Sequence, residues 1–283
     1  MRLSFPKTKD YHKAGQPMVP NCYGIFYVFI SVCYWFILSF LGIMEGEAIA
    51  LATSVLFGST MGLFDDMVDL RWRYKAILPI FAALPYMVLK PSDRTTIEFL
   101  LLGIVNLGEL FFILIVPIIM TVTTNTYNQL GGLNGLESFS GLIILVGLTI
   151  VSQAYVLMVI PLACLGVLGY MSYRGKFFIG NVGTFSVGLT LAVYAILANL
   201  KLFLLVSLSP LIFNSILILF SNYILHEKAD TLLDEHGLLY SRKVRSLRTL
   251  ILRYKRLSEH QTVLVICTII AFSTGLALLL QAF

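Results

Sequence analysis

This 283-residue chain carries unusually little charge. Only 12% of its residues are charged and 58% are hydrophobic, whereas an ordinary soluble domain is about a quarter charged. A fold of this length could not cover its surface with so few polar groups. The composition therefore excludes a soluble enzyme, a disordered protein and a nucleic-acid-binding protein, and it indicates a chain whose main solvent is lipid.

Cysteine is also scarce, and the four residues are scattered: Cys22, Cys33, Cys164 and Cys267. Their spacing fits neither a disulfide framework nor a thiolate metal site. The first 23 residues are polar and basic with no apolar core, so we expect no cleavable signal peptide. The apolar runs are continuous rather than alternating, which argues against a β-barrel.

The apolar residues form nine candidate spans, at roughly 24–44, 48–64, 76–90, 108–124, 139–151, 154–171, 182–199, 202–225 and 262–282. The sequence therefore predicts an all-α, polytopic membrane helix bundle of about nine transmembrane helices, with residues 1–283 as one integral membrane domain. The segment 91–107 is apolar but is interrupted by Pro91, Asp93 and Gly103. We interpret it as an interfacial hairpin or a further span.

The distribution of basic residues predicts the orientation. With nine alternating spans, 17 of the 20 Lys and Arg residues fall on the side that holds the N-terminus, and the positive-inside rule makes that side cytoplasmic. The Asp and Asn clusters fall on the same side. A transporter would place polar groups near the middle of the membrane. The pattern favours a multi-pass cell-membrane enzyme with a cytoplasmic active site.

The first candidate constellation follows the second span and combines three carboxylates with three basic side chains: Asp65, Asp66, Asp69, Arg71, Arg73 and Lys75. Asp65 and Asp69 share a helical face, and Asp66 points about 100° away. Adjacent carboxylates suit Mg²⁺ together with substrate phosphate oxygens, and the basic residues could hold a phosphate. The alternative is a charge cluster that only fixes topology.

The second constellation joins two asparagines to a glycine-rich loop: Asn125, Asn128, Gly132, Asn134 and Glu137. Asn125 and Asn128 share a helical face, and amide oxygens can ligate a hard cation or recognise a base or sugar. Glycines let the backbone approach a ligand closely. Helix packing through small residues and asparagine explains the pattern equally well.

The third constellation is the glycine-rich turn around Gly180 and Asn181, which runs into an apolar helix. Free N–H groups and the helix dipole make such a terminus a phosphate site. A plain capped turn would give the same pattern.

The fourth candidate is the long polar loop 226–260, which contains apolar residues at helical spacing: Val244, Leu247, Leu250, Ile251, Tyr254 and Leu257. Basic residues fill the positions between them, which predicts an amphipathic helix in the headgroup layer. A solvated topogenic loop is compatible with the same residues. We interpret the loop histidines as exposed rather than as ligands.

In their order, Asp65-Asp66, Leu70 to Lys75, Asn125, Asn128 and Gly132 to Glu137 resemble the polyprenyl-phosphate N-acetylhexosamine-1-phosphate transferase family, glycosyltransferase family 4. The segments 9–20 and 252–261 are also similar to that family, so the resemblance covers most of the chain. It is nearest to the branch that uses UDP-GlcNAc and dolichyl phosphate, in an archaeal type.

The resemblance implies transfer of a sugar-1-phosphate, such as GlcNAc-1-phosphate, from a UDP-sugar to a polyprenyl or dolichyl phosphate, with release of UMP, as the first membrane step of glycan assembly. It implies Mg²⁺, with Mn²⁺ as a substitute, no nucleic-acid partner, and a possible homodimer. Its residues carry over as follows: catalytic Asp65, Asp66 and Lys75; metal-binding Asn128 and Asn181; substrate-binding Asn125, Gly132, Asn134, Glu137, Asp69, Arg71, Arg73, His226 and Lys228. Since a lipid phosphate is mostly ionised near neutral pH, positioning by the carboxylates is favoured over proton abstraction.

The chain departs from the family pattern in three respects. Asn181 stands where the family has aspartate, and His226 to Lys228 stand where it has a more basic diphosphate clamp. The family has ten spans, so we expect either that the first helix is missing here or that the start of the chain is misassigned. These departures leave open a catalytically silent homologue acting as a scaffold, and a membrane transporter is the other alternative.

Overall fold

The computed structural model describes residues 5–92, 95–99, 103–226 and 231–282. Twelve α-helices dominate this part of the chain: α1 Gly24–Phe40, α2 Glu45–Val68, α3 Trp72–Ile77, α4 Leu84–Leu89, α5 Val116–Asn128, α6 Leu136–Ser152, α7 Tyr155–Tyr173, α8 Gly180–Leu197, α9 Lys201–Ser207, α10 Ser209–Tyr223, α11 Leu247–Tyr254 and α12 Glu259–Ala282. The predicted all-α polytopic bundle is confirmed.

Helices of membrane-spanning length lie where the sequence predicts spans. Within the described residues, five are long and apolar enough to cross a membrane: Glu45–Val68, Phe111–Asn128, Tyr155–Tyr173, Gly180–Leu197 and Glu259–Gln281. The pair α9 and α10, which meet at 58°, gives a sixth if it is counted as one span. Helices α1 and α6 are apolar but have only 17 residues each. The count of nine remains a prediction.

The stretch 76–90 is helical but not continuous. Helix α3 leads into a 3₁₀ helix, Leu78–Ala83, and then into α4. Pro79 and Pro85 stand at the starts of the second and third pieces. Proline has no N–H to donate to the preceding turn, so the segment is divided into short pieces where the hydropathy pattern predicts one span.

Three short antiparallel hairpins lie outside the helices, one before α1 and two between helices: β1 Lys7–Lys9 with β2 Met18–Pro20, β3 Thr96–Phe99 with β4 Gly103–Asn106, and β5 Leu232–Leu233 with β6 Leu239–Tyr240. The second hairpin agrees with the interpretation of the segment 91–107 as a hairpin.

The amphipathic helix of the polar loop is α11, and it is shorter than its pattern suggests. Ser246 and Thr249 form a capping box that starts it, and the extended backbone of Lys255 ends it. The Leu247 N–H donates to Asn214 Oδ1 (2.9 Å), and Asn214 Nδ2 donates to the Gln129 carbonyl (3.2 Å). Asn214 therefore joins α11 to α10 and to the end of α5.

Helix α8 is the centre of the bundle. Every residue from Val182 to Leu197 is buried, and the helix packs against α1, α2, α5 and α6. A helix that is hydrophobic on all sides belongs in such an interior position.

Glycines bring α2 and α8 into backbone contact at one end of the bundle. A Cβ atom on Gly62 of α2 would lie 2.5 Å from the Asn181 carbonyl oxygen, well inside van der Waals contact. Gly24 of α1 likewise faces Gly183 of α8, where a Cβ would lie 2.2 Å from the Gly183 Cα. The N-terminus of α8 is therefore held against the C-terminal turn of α2.

The loops at this end of the bundle contact one another. The N–H groups of Tyr23 and Gly24 donate to the carbonyls of Phe178 (3.1 Å) and Ile179 (2.9 Å). The Gly135 N–H donates to Ser172 Oγ (3.1 Å). The charge pattern predicts that these loops lie on one side of the membrane, and the structure brings them to one end of the bundle.

We predict that Gly62→Ala destabilises the protein by about 1–3 kcal/mol, the usual cost of overpacking a close interior contact. Activity should fall with it, because α2 and α8 would be forced apart beside Asp66. Unfolding of the detergent-solubilised protein, followed by circular dichroism, measures the effect. Gly166→Ala in α7 is the matched control, because the nearest atom to the added Cβ would be Leu142 Cδ2, at 4.0 Å. Equal unfolding midpoints for the two variants would contradict the packing argument.

Candidate functional site

The carboxylate of Asp66 caps the central helix. Its Oδ1 accepts the Asn181 N–H and its Oδ2 accepts the Val182 N–H, both at 2.9 Å. The first N–H groups of a helix have no intrahelical acceptor, and the helix dipole favours an anion there. A residue in the last turn of α2 thus supplies the anion for the start of α8.

Gly180 makes this contact possible. Its φ is +71°, in the left-handed region, and a Cβ would lie 2.6 Å from Asp66 Oδ2. The sequence predicts a phosphate site at this helix terminus, but two of its amides are already used by Asp66. A phosphate therefore has to find its donors elsewhere in the site.

A cavity of about 330 Å³ opens beside this contact. It is bounded by the N-terminal hairpin, the ends of α2 and α5, the glycine-rich loop, the start of α8 and helix α11. Five of the predicted site residues line it: Asp66, Asn128, Gly132, Glu137 and Asn181. The structure therefore brings together motifs that are more than 100 residues apart in the sequence.

One end of the cavity is rich in oxygen ligands. Asp66 and Asn181 approach from α2 and α8, and Asn128 from the end of α5. Asn128 Oδ1 accepts the Thr184 hydroxyl at 2.6 Å, which fixes the direction of its amide. Carboxylate and amide oxygens are the ligands that Mg²⁺ takes in proteins, so the donor set at this end fits a hard divalent cation.

The cavity lining also carries three basic side chains, Lys9, His12 and Arg248. Burial and the nearby Arg248 charge lower the pKa of His12 to about 4, so His12 is neutral near pH 7 and the positive charge comes from Lys9 and Arg248. An anionic part of a ligand would be attracted to these two side chains.

The glycine-rich loop is folded back on itself by Glu137. The Glu137 Oε1 atom accepts the Gly132 N–H at 2.8 Å, and Tyr127 donates its hydroxyl hydrogen to the Glu137 carbonyl. Gly132 has a φ of +109°, which favours glycine. Glu137 therefore shapes the cavity wall at the predicted nucleotide loop.

Asn134 is buried in a separate polar network beside the cavity. Its Nδ2 donates to Asp10 Oδ2 (2.9 Å) and to Glu259 Oε1 (2.8 Å), and its backbone N–H also donates to Glu259 Oε1 (2.8 Å). Burial opposes ionisation of Asp10, but the hydrogen bond from Asn134 and the ion pair with Lys13 (2.9 Å) outweigh it and hold its pKa below the usual value. This network joins the N-terminal hairpin, the glycine-rich loop and α12.

Asp65 points away from the cavity and organises the turn after α2. Its Oδ1 accepts the Leu70 N–H (2.9 Å) and pairs with Lys75 Nζ (2.9 Å). Lys75 also reaches Asp69 at 3.4 Å, and the Asp69 side chain is 98% exposed. Asn125 Nδ2 donates to the Ala76 carbonyl (3.1 Å) and so attaches α5 to the same turn. These four predicted residues form a second polar group in the turn that follows α2.

The remaining predicted residues lie apart from both groups. Arg71, Arg73 and His226 are exposed, and the Arg73 guanidinium lies over the Trp72 ring at 5.8 Å. Lys228 lies outside the residues that the structure describes.

Among the residues of the site that have no role in the sequence analysis are Asp10, His12, Arg248 and Glu259. Three of them stand in segments whose similarity to the family was visible, and that was the only signal for them. Arg248 is one of many basic residues in the amphipathic pattern, and nothing in the sequence distinguishes it from its neighbours.

The family model described as Glycosyl transferase family 4 matches residues 48–199. A protein of Saccharolobus solfataricus is 30% identical over 284 residues, covering 96% of this chain and 87% of its own length. A protein of Sulfolobus acidocaldarius is 29% identical with the same coverage. Both carry the provisional name UDP-N-acetylglucosamine–dolichyl-phosphate N-acetylglucosaminephosphotransferase.

A Dictyostelium discoideum protein carries the same name without the provisional qualifier. It is 34% identical over 100 residues, which cover 31% of this chain and 24% of the Dictyostelium protein. The family model spans more than half of the chain, and the Saccharolobus relative aligns over nearly all of it. The match to the model includes Asp66, Asn128 and Asn181, the oxygen ligands of the cavity. This chain is therefore a member of glycosyl transferase family 4.

Proposed function

We propose that this protein transfers GlcNAc-1-phosphate from UDP-GlcNAc to a dolichyl or related polyprenyl phosphate and releases UMP, at the cytoplasmic face of the cell membrane. The names of the archaeal relatives support the sugar and the lipid acceptor. The low charge and the apolar helices support an acceptor that stays in the bilayer.

One observation carries the proposal: a single cavity is lined both by oxygen donors and by cations. The oxygen donors are Asp66, Asn128 and Asn181, and the cations are Lys9 and Arg248. A metal-bound nucleotide diphosphate presents complementary charges to such a site. Phosphoryl transfer depends mainly on alignment and on neutralising phosphate charge, and this cavity offers both.

Mg²⁺ fits the oxygen end, with Mn²⁺ as a substitute. Asp66, Asn128 and Asn181 would hold it, and these are the hard oxygen donors it prefers. Bound there, the ion would neutralise charge on the diphosphate oxygens. Since Asn181 is an amide, Asp66 supplies the formal charge of this donor set.

Asp66 acts by position in this proposal. Both of its oxygens accept backbone N–H groups of α8, so the side chain is fixed before any ligand arrives. The lipid phosphate is mostly ionised near neutral pH and needs no base to attack the β-phosphate. A fixed carboxylate therefore contributes geometry and charge rather than proton abstraction.

Lys75 would receive the lipid phosphate. It is held by Asp65 at the end of α2, beside the exposed aromatic residues Trp72 and Tyr74, and such residues suit the membrane interface. A lipid phosphate could displace the weaker contact to Asp69 while Asp65 keeps Lys75 in place. Asp65 is thus a positioning residue.

The direct test is an assay with sugar-labelled UDP-GlcNAc, dolichyl phosphate and Mg²⁺, using the purified protein in lipid nanodiscs. We expect a labelled lipid product and an equal amount of UMP. A folded protein that binds UDP and forms no product would instead be the silent homologue. Uptake of label into sealed vesicles without lipid product would indicate a transporter.

We predict that Asp66→Asn lowers turnover by roughly a hundred- to a thousand-fold, the usual effect of removing one group that stabilises transition-state charge. The amide cannot accept both N–H groups of α8, and it removes the charge of the site. Glu45→Gln, at the exposed opposite end of the same helix, is the matched control and should retain activity. Near-normal turnover of a folded Asp66→Asn protein would disprove the role.

We predict that Asn181→Asp lowers the Mg²⁺ concentration needed for half-maximal activity, because a carboxylate adds a charge-assisted ligand. The two side chains are nearly the same size, so packing should not change. Asn222→Asp makes the same substitution at an exposed position of α10 and should leave the Mg²⁺ requirement unchanged. The same half-saturation point in the wild type and Asn181→Asp, with activity intact, would mean that residue 181 does not touch the metal.

We predict that residues 65–75, 125–138 and 226–260 face the cytosol, from the asymmetry of Lys and Arg. In a cysteine-free variant, Glu235→Cys should react with an impermeant maleimide only after the cells are opened. Glu109→Cys, exposed on the predicted outer side, should react in intact cells. The reverse labelling pattern would invert the topology.

A further inference from the structure

The hydroxyl group of Thr184 joins two helices. A common way for a helical Ser or Thr to satisfy its hydroxyl is to donate to a carbonyl one turn earlier, and Thr190 of the same helix does so to the Ser186 carbonyl at 2.8 Å. Thr184 is 4% exposed, and its hydroxyl oxygen lies 2.6 Å from Asn128 Oδ1 on α5 but 3.3 Å from the Asn181 carbonyl oxygen of its own helix. The shorter hydrogen bond of Thr184 is therefore the one to the other helix.

The packing of α5 against α8 holds the two side chains opposite each other. One turn further along both helices, a Cβ on Gly188 would lie 2.9 Å from the Thr124 Cα, so the two backbones touch there. Residues four apart on a helix share a face, which places Thr184 and Asn128 on the same line of contact. Both residues also line the cavity. The hydroxyl therefore meets the Asn128 amide because the helices are packed closely beside it.

This hydrogen bond decides which end of the Asn128 amide is offered to a ligand. Within the described parts of the chain, the Thr184 hydroxyl makes the only hydrogen bond to the Asn128 side chain. An amide oxygen has two lone pairs, so Asn128 Oδ1 can accept the hydroxyl and still ligate a cation. Without the hydroxyl the amide could turn and present its NH₂ group, which would repel the cation.

The orientation of an amide matters more than that of a carboxylate. A carboxylate has two equivalent oxygens and offers one of them in either orientation, whereas an amide has a single oxygen. Two of the three oxygen donors of this cavity, Asn128 and Asn181, are amides. A site of this composition depends on groups that keep the amide oxygens directed at the ion.

From this geometry we infer that Thr184 is a positioning residue: its hydroxyl holds the Asn128 amide so that the oxygen, and not the NH₂ group, is offered to the divalent cation. The inference rests on the proposed function, and it adds a residue outside the metal ligands that the family resemblance supplies. Hydrogen bonds to metal ligands orient them and raise the affinity of the site. Thr184 acts through Asn128 and not on the substrate.

The test measures binding of Mn²⁺ alone to the purified full chain in phosphatidylcholine nanodiscs, from the electron paramagnetic resonance signal of the free ion. Thr184→Val keeps the shape of the side chain and removes the hydroxyl, and it should weaken Mn²⁺ binding roughly ten-fold, as is usual when a metal ligand loses its hydrogen-bond partner. Thr184→Ser keeps the hydroxyl and should restore the affinity to within about two-fold of the wild type. Thr190→Val, which removes a hydroxyl from the same helix outside the cavity, is the matched control and should not change the affinity.

A second pair of variants separates orientation from packing. In Asn128→Asp either carboxylate oxygen can face the ion, so adding Thr184→Val should then cost less than about two-fold in Mn²⁺ affinity, a non-additivity typical of residues in direct contact. A merely structural role of the hydroxyl predicts the same loss in both backgrounds. In the activity assay, Thr184→Val should raise the Mg²⁺ concentration for half-maximal activity and leave the rate at saturating Mg²⁺ nearly unchanged.

The outcomes separate the inference from the proposed function. If the wild type binds Mn²⁺ and Thr184→Val binds it equally well, or if the loss is the same in Asn128→Asp as in the wild type, the inference fails and the proposed function stands. Equal losses in Thr184→Val and Thr190→Val would indicate a general effect on the fold and would also overturn the inference. A wild type that forms product without binding Mn²⁺ would overturn the inference alone. A folded wild type that neither binds Mn²⁺ nor forms product would overturn the proposed function and the inference with it.

Discussion

The hydrogen bonds from α8 to the Asp66 carboxylate are the contact on which the geometry of the site depends. They join the end of α2 to the start of the most buried helix, and they direct Asn181 into the cavity. Gly62 and Gly180 leave room for this contact because neither carries a Cβ. Since the chain supplies its own anion at this helix terminus, an incoming phosphate would have to find its hydrogen-bond donors elsewhere in the cavity lining.

The buried network around Asn134 supports the glycine-rich loop that lines the cavity. Asp10, Asn134 and Glu259 come from the N-terminal hairpin, the glycine-rich loop and the last helix. A buried polar network of this kind specifies one arrangement, because leaving any member unpaired is costly. The cavity therefore depends on contacts between the two ends of the chain, and the glycine-rich loop between α5 and α6 is held from both sides.

The sequence predicts the helices better than it predicts their interruptions. The nine apolar stretches all contain helix, yet the stretch 76–90 is divided at Pro79 and Pro85, because proline lacks the N–H that a continuous helix needs and hydropathy does not register this. The sequence also places Asp65 and Asp66 together. Only the packing of α8 shows that Asp66 enters the cavity while Asp65 turns to Lys75. The sequence does not distinguish Arg248 from the other basic residues of its loop, because its place in the cavity lining depends on which face of α11 meets the glycine-rich loop.

The most direct test of the central claim follows the phosphorus atoms of the donor. UDP-GlcNAc carrying radiolabelled phosphorus at either the α or the β position is incubated with the protein, dolichyl phosphate and Mg²⁺, and the lipid and aqueous products are separated. A sugar-1-phosphate transferase delivers the β label to the lipid and leaves the α label in UMP. Appearance of the α label in the lipid, or transfer of the sugar without the β label, would contradict this account.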